Sequence, residues 1–413
     1  MRVCFISRRY FPAISGMSVY AQNLLRELVA LGHDVTMVSQ YRGDATGRGV
    51  YGGGPPPPVP GVRVVGLEAH GEQNGGRFED DIATIVDTVT QLHAERPFDL
   101  LHAQYGYPPG LAALLLSRRL GIPNVVSIQG GDGHWVGVEC CHTHQRAIRT
   151  VLDHAGALLI GCQSFADEVI SHHGTAPERF TLVPGAVDVA RFQPRAGWRA
   201  GQWANPAHPT LLYHGRVDQR KGVLDLLAAF AQLASARPAL RLLVSGIGPE
   251  VEEVRRWVAA APWGTQVELT GYVEYEQVPR VYHRADVFVS PTYAEGFSNT
   301  ILEAMASGLP CVAAEAVGVV DCLRNDDNGL LVPPGDVPAL TAALARVLDD
   351  AALRARLAEA ALHEVRTIYA WPIIGRQIDG IYRQLAGTAP DLNWVADEAA
   401  PDACRYREAP HLL

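Results

Sequence analysis

Apolar residues occur along this chain in two alternating modes: short uninterrupted runs, and longer stretches in which they return at helical spacing. Val3–Ser7 (VCFIS) is a short run, the pattern of a strand buried on both faces. Ala21, Leu24, Leu25 and Leu28 then share one helical face, and Gly32 ends the helix. The next strand is His33–Ser39 (HDVTMVS), and the order continues through Asp99–Gln104 (DLLHAQ), Asn124–Gln129 (NVVSIQ) and Ala157–Cys162 (ALLIGC). Such alternation predicts a parallel sheet with helices on both faces. From Tyr41 to Gly76 the pattern lapses into glycine and proline, including the run Pro55–Pro58. A long loop is expected there, of a kind that in compact domains is functional or mobile.

A second alternating series starts at Thr210–Gly215 (TLLYHG). It continues through Leu240–Gly246 (LRLLVSG), Val267–Gly271 (VELTG), Asp286–Pro291 (DVFVSP), Pro310–Ala314 (PCVAA) and Gly329–Pro334 (GLLVPP). Phe192–Pro209, between the two series, has turn residues and no period, and is the predicted linker. No sequence repeat of roughly 20–50 residues is visible, which argues against a solenoid. The chain is therefore read as an α/β protein of two doubly wound, Rossmann-like domains, residues 1–195 and 207–370. Ligands of such sheets lie beyond the carboxyl ends of the strands. Chemistry is expected in the loops that follow strands, and in a cleft where the two domains face each other.

A length of 413 residues suits two cores better than one. With 48% hydrophobic and 19% charged residues, the composition is that of a soluble globular protein. No apolar run reaches the roughly 18–20 residues of a membrane-spanning helix. Arg8 and Arg9 follow the first short run, whereas a signal peptide puts charge first and a longer apolar stretch after it. A cytoplasmic location is expected. The net charge of −9 argues against nucleic acid as a partner, and less strongly against an anionic membrane, where a local basic patch would suffice. The seven cysteines are odd in number, scattered and without a C-x-x-C pair, so buried reduced thiols are expected.

Three loops of the second series carry glycine followed by charge or a helix start. Arg216 and Lys221, in GRVDQRKG, place two cations on one loop, enough to offset a diphosphate; the same residues also fit a solvated basic loop. Ser245–Glu250 (SGIGPE) has glycines that admit close backbone approach, Gly246 among them, and a proline suited to a first helical turn. Ser290–Pro310 (SPTYAEGFSNTILEAMASGLP) is the most informative. A strand ends at Pro291, Glu295-Gly296-Phe297 follow, and Ser298, Asn299 and Thr300 supply N-cap chemistry for a helix that Gly308 stops. The amino end of that helix favours phosphate or sugar oxygens. Glu295 and Glu303 could converge on vicinal hydroxyls, or be a loop charge and a surface helix residue.

The run E-G-F-x5-E-A-M-A-x-G-x-P, Glu295 to Pro310, is similar to the signature of the family-4 retaining glycosyltransferases of the GT-B fold. His214–Gly222, Ser245–Pro249, Gly271–Val273 and Asn328–Asp336 resemble further motifs of that family. The resemblance spans about Met1–Leu385 and leaves the tail from Ala386 unmatched. It implies that Arg216 and Lys221 hold the diphosphate of a nucleotide sugar and stabilise it as it leaves. It gives Glu303 the ribose hydroxyls, Glu295 the transferred sugar, the backbone of Gly296 to Thr300 the sugar and phosphate, and the backbone near Val273 the base. It also implies retention of configuration without a protein nucleophile, the departing phosphate oxygen taking the acceptor proton. The final helix, residues 371–386, is expected to cross back to the first domain, leaving 387–413 as a tail.

The first half resembles the family more loosely. Ser15-Gly16 stands where two glycines are usual, and Gly16 would still let a helix amino end approach the donor phosphate. Gln129 replaces the usual His or Arg before glycine and fits a hydrogen-bonding role. Asp132, His134 and Trp135, on the same loop, suit an acceptor hydroxyl or pack against their own domain. Gly-Ala at 185–186, Val317 and Asp321 are further departures from the pattern. Neither His142 and His144 nor His172 and His173 belong to a complete zinc set, and no D-x-D occurs; no metal and no other cofactor is expected. The expected partners are a nucleotide sugar, UDP before GDP, and a hydroxyl acceptor. A soluble small molecule is preferred to a lipid-linked or polysaccharide acceptor. An epimerising or phosphorolytic relative and a non-catalytic binding module are the competing readings.

Overall fold

The short apolar runs become parallel strands of two separate sheets in a computed structural model that describes residues 1–46, 52–129, 142–396 and 405–408. The chain packs as two units, Met1–Pro184 with Trp371–Leu413, and Gly185–Ala370.

The first sheet holds β1 (Arg2–Ser7), β2 (Asp34–Tyr41), β3 (Val62–Glu68), β4 (Leu100–Gln104), β5 (Asn124–Ile128), β6 (Ala157–Ile160) and β7 (Phe180–Leu182) in the order β3-β2-β1-β4-β5-β6-β7. All pairings are parallel. Every residue of β1, β4 and β5 is buried, which is why these strands read as unbroken apolar runs. Strand order reverses between β1 and β4, and this is the sheet's switch point.

The stretch expected to be a loop from Tyr41 to Gly76 contains β3 and a short helix, His70–Gln73. β3 is an edge strand with no fully buried residue, so it needs no continuous apolar run, and the prolines just before it hide its start.

The helix Gly16–Ala30 is capped by Ser15, whose hydroxyl accepts from Ser18 N at 3.1 Å. The last long helix, Trp371–Leu385, belongs to this unit. Its Trp371 ring meets Tyr20 edge-on at 5.1 Å, and Asp379 lies 2.9 Å from His33 Nε2. The Tyr382 hydroxyl lies 2.5 Å from Nδ1 of buried His102, whose Nε2 lies 2.8 Å from Ser127 Oγ. Burial pushes the His102 imidazole down to about 3, so it is neutral and both ring nitrogens are satisfied inside the unit. Beyond this helix, Trp394 carries the Arg118 guanidinium 3.9 Å above its ring, and Asp391 meets His154 at 2.8 Å.

The second sheet holds β8 (Thr210–His214), β9 (Arg241–Ser245), β10 (Val267–Gly271), β11 (Val287–Ser290), β12 (Cys311–Ala314) and β13 (Leu330–Val332), in the order β10-β9-β8-β11-β12-β13 and all parallel. Its core joins Leu211, Val244 and Val289 of the strands to Leu226, Phe230 and Leu344 of the flanking helices.

Phe192–Pro209, expected to be a linker, is held on this unit. Trp198 Nε1 donates to Gly308 O at 3.1 Å, and the Arg354 guanidinium stacks 3.6 Å from the Trp203 ring while donating to Gly201 O. The missing periodicity reflects irregular backbone tied down by long-range partners. The units divide at Pro184/Gly185, ahead of this segment.

Cys4, Cys162, Cys311 and Cys322 are buried thiols. Cys140, Cys141 and Cys404 lie outside the described residues. Among the described residues no helix is long and apolar enough to cross a membrane.

Tyr382→Phe leaves a buried imidazole nitrogen without its partner and should destabilise the first unit by about 1–3 kcal/mol. Urea denaturation checks this; an unchanged unfolding midpoint would show that the bond adds nothing to that unit.

Candidate functional site

β8 ends at His214 and β9 at Ser245, and a glycine follows each: Gly215 with φ +146° and Gly246 with φ +143°. A Cβ on Gly246 would fall 1.8 Å from Gly215 O, so only glycine lets the two backbones lie this close. Gly215 N donates to Ser245 O at 3.0 Å, Gly246 N to Gly271 O at 2.9 Å, and Val217 N to Ile247 O at 2.8 Å. The loops after β8 and β9 are thereby laid side by side at the carboxyl edge of the sheet.

Asp218 organises the first of these loops. Its buried carboxylate lies 3.1 Å from Arg216 Nε, accepts from Arg220 N at 2.9 Å and meets the Arg220 guanidinium at 3.3 Å. Burial works to raise the Asp218 pKa, but hydrogen bonds from Arg220 and the charges of Arg220 and Arg216 outweigh it and hold the carboxyl below its ordinary value. The carboxylate also caps the single turn Gln219–Lys221. Gly222 follows with φ +70°, and a Cβ there would fall 2.0 Å from Pro291 O, at the end of β11.

That contact joins the β8 loop to the β11 loop, at the position where the strand order of this sheet reverses. Lys221 Nζ lies 2.8 Å from Glu295 Oε1 and donates to Ala294 O at 3.1 Å. Glu295 is fixed through its own backbone, N to Val317 O at 3.0 Å, and Gly318 (φ +74°) packs so closely that a Cβ would fall 2.5 Å from Glu295 O. Arg216, Lys221, Gly246 and Glu295, predicted from three separate motifs, thus stand on adjoining loops of one sheet edge.

The helix Asn299–Ala306 begins just after this loop. Ser298 occupies its N-cap but makes no side-chain cap bond; its Oγ lies 3.4 Å from Thr300 Oγ1. The expected serine cap is therefore not formed, because the hydroxyl turns toward Thr300 instead of the backbone N–H groups. Phe297 packs its ring against Tyr369 at 5.6 Å.

Glu303 is not a surface helix residue. It is 6% exposed, and the Tyr282 hydroxyl donates to its Oε2 at 2.9 Å and lies 3.1 Å from Thr300 O. Burial pushes its pKa up to about 7, against the opposing pull of the Tyr282 bond and the Arg191 charge. Next to Tyr282 sits His214, its ring 5.5 Å away and its Nδ1 3.0 Å from Ser245 Oγ; burial pushes that imidazole down to about 4, so it is neutral.

Val273 follows β10 and is half-buried. Gly16 and Gln129 belong to the first unit, Gly16 opening the helix after Ser15 and Gln129 following β5, half-buried. Asp132, His134 and Trp135 lie outside the described residues. His144 is a buried histidine packed on the rings of Phe78 and Tyr107 at 5.5 and 4.8 Å. Among the described residues no three His, Cys, Asp or Glu side chains cluster as a metal set.

Asp218, Tyr282 and Gly318 were not singled out from the sequence. The one signal for Asp218 was its place between two cations in GRVDQRK; Tyr282 and Gly318 reach the site only through non-local packing.

A family model described as glycosyl transferases group 1 matches residues 197–364, and one described as glycosyl transferase 4-like domain matches residues 15–186. A glycogen synthase of Mycobacterium tuberculosis is 27% identical over 421 residues, covering 92% of this chain and 94% of its own. Sucrose-phosphate synthase from Thermosynechococcus elongatus has the same fold, with a TM-score of 0.77 at 24% identity over 93% of this chain and 98% of that one. Anabaena HepE, solved in complex with UDP and glucose, gives 0.72 at 18% identity over 93% and 99%.

The burial of Glu303 sets a pH dependence. Below its ordinary value of 4.5 the carboxyl is neutral whether folded or unfolded. Between 4.5 and about 7 only the unfolded chain ionises it, so stability falls as pH rises. The loss reaches on the order of 3 kcal/mol above that range. Glu303→Gln should abolish this fall, as read from urea denaturation at pH 5, 7 and 8; parallel curves for the two proteins would contradict it.

Proposed function

This chain belongs to family 4 of the GT-B glycosyltransferases, and we propose that it moves a hexose or amino-hexose from a UDP-sugar to an acceptor hydroxyl with retention of anomeric configuration. The observation that carries the reading is the meeting of Arg216, Lys221 and Glu295 at the switch point of the second sheet, with the amino end of the helix Asn299–Ala306 following directly. A diphosphate there would find two cations of different character. Arg216 is a planar fork, already oriented by Asp218, and Lys221 a compact ammonium on a flexible stem.

In the proposed reaction the bond between the sugar's anomeric carbon and the diphosphate oxygen breaks as positive charge develops on the sugar. Arg216 and Lys221 stabilise the negative charge gathering on the leaving group. The acceptor hydroxyl attacks from the face the diphosphate leaves, and its proton passes to a departing phosphate oxygen. Glu295 holds sugar hydroxyls near the reacting carbon. Glu303, with Tyr282 beside it, takes the ribose hydroxyls; neutral or ionised, its carboxyl accepts hydrogen bonds from them. The backbone of Gly296–Thr300 and Gly246 lines the sugar and phosphates, and that near Val273 the base. Gly16 approaches the donor phosphate, and Gln129, Asp132, His134 and Trp135 serve the acceptor.

UDP is preferred because Anabaena HepE is known in complex with it; GDP is the second choice. The relatives' names span a glycogen synthase and a sucrose-phosphate synthase, so the acceptor is proposed from composition: a soluble small molecule met in the cytoplasm. The two cations and the helix amino end take the electrostatic role a metal would otherwise have, and no metal is part of the proposal.

Arg216→Ala and Lys221→Ala should each lower turnover by roughly 10²–10³ while the protein stays folded. Glu303→Ala should raise the donor KM roughly tenfold or more. A donor-sugar panel with product analysis measures both, and near-wild-type rates in both cation variants would sink the assignment. EDTA should leave the rate unchanged; a full loss restored by Mg²⁺ or Mn²⁺ would overturn the metal-free mechanism.

A further inference from the structure

The two cations of the proposed diphosphate site are held by carboxylates of opposite character. Arg216 is paired with Asp218, which is 5% exposed and committed to capping a turn. Lys221 is paired with Glu295, and both side chains are reachable, 30% and 22% exposed. The main chains on both sides are anchored. Lys221 N donates to Asp218 O at 2.9 Å, the adjoining Gly222 is wedged against Pro291, and Glu295 is tied to Val317 and Gly318. Only side-chain rotation is then needed to make or break the 2.8 Å contact.

We propose that Glu295 alternates between Lys221 and the donor sugar, so that it weakens the hold of Lys221 on a sugar-free nucleoside diphosphate and favours its release. The proposal rests on the reading of the β8 loop as the diphosphate site. When a nucleotide sugar binds, sugar hydroxyls donate to the Glu295 carboxylate and draw it off the ammonium, and Lys221 turns its N–H groups to the phosphates. Once the sugar has gone, the carboxylate has no hydroxyl partner. It competes with the diphosphate for Lys221. Arg216 takes no part in this exchange, because its buried partner has nowhere else to go. Glu295 is on this view a release-promoting residue as well as a sugar contact.

Calorimetric titration of the full chain with UDP and GDP, carried on with whichever binds the wild type more tightly, tests this. Glu295→Gln keeps the size and shape of the side chain and removes its charge. It should tighten the nucleoside diphosphate about three- to tenfold while slowing sugar transfer. Lys221→Met should weaken that binding, and adding Glu295→Gln in the Lys221→Met background should change it by less than about twofold. Unchanged or weaker binding in Glu295→Gln, in a sample with the wild-type melting temperature, would overturn the proposal. So would a tightening of undiminished size without Lys221, since repulsion alone would then account for it. Should Glu295→Gln not fold, Glu295→Ala gives the same comparison. If Lys221→Met binds the diphosphate as tightly as the wild type, the diphosphate assignment itself falls, an outcome separate from failure of the exchange alone.

Discussion

A Cβ on Gly246 would stand 1.8 Å from the carbonyl oxygen of Gly215, so the two loops that leave β8 and β9 can touch only because Gly246 has no side chain there. The same constraint recurs where Gly222 meets Pro291 and Gly318 meets Glu295. Close backbone approach at these three points draws the loops after β8, β9, β11 and β12 into one edge. Each glycine also has positive φ, which other residues adopt at a cost. The charged residues are then placed by their main chains, before any side-chain interaction acts.

Electrostatics refines this placement in two ways. Asp218 binds a cation on either side and closes the turn that ends at Lys221, so one buried carboxylate orients most of the loop's positive charge. Glu303 stands in the opposite situation. A tyrosine hydroxyl is its one side-chain hydrogen-bond partner among the described residues, and burial holds its pKa near neutrality. Two glutamates of one motif therefore have different chemistry. Glu295 lies against an ammonium, while Glu303 shifts between neutral and charged close to physiological pH.

The first unit shows how polar groups are accommodated in a sheet buried on both faces. His102 in β4 is satisfied by Ser127 from β5 and by Tyr382 from the last long helix. A residue far along the chain thus completes the interior of the unit that the chain begins with. His33 and Asp379 make a second such tie. These hydrogen bonds, together with apolar packing, hold the returning helix in place.

Much of this was legible in the order of residues. Buried parallel strands need apolar side chains on both faces, so β1, β4, β5, β8, β9 and β11 announce themselves as short apolar runs. Glycine followed by charge or a helix start, in three loops of the second series, marks the carboxyl edge of that sheet, where ligands of doubly wound folds lie. β3 was missed because an edge strand is only half-buried, and Phe192–Pro209 was misread because irregular backbone held by distant partners has no period. The pairing of Lys221 with Glu295, the burial of Glu303 beneath Tyr282 and the role of Asp218 were decided only by tertiary structure. The physical reason is common to all three. Periodicity along a chain records which side of an element faces water, whereas a charge takes its state from neighbours that folding brings from other elements.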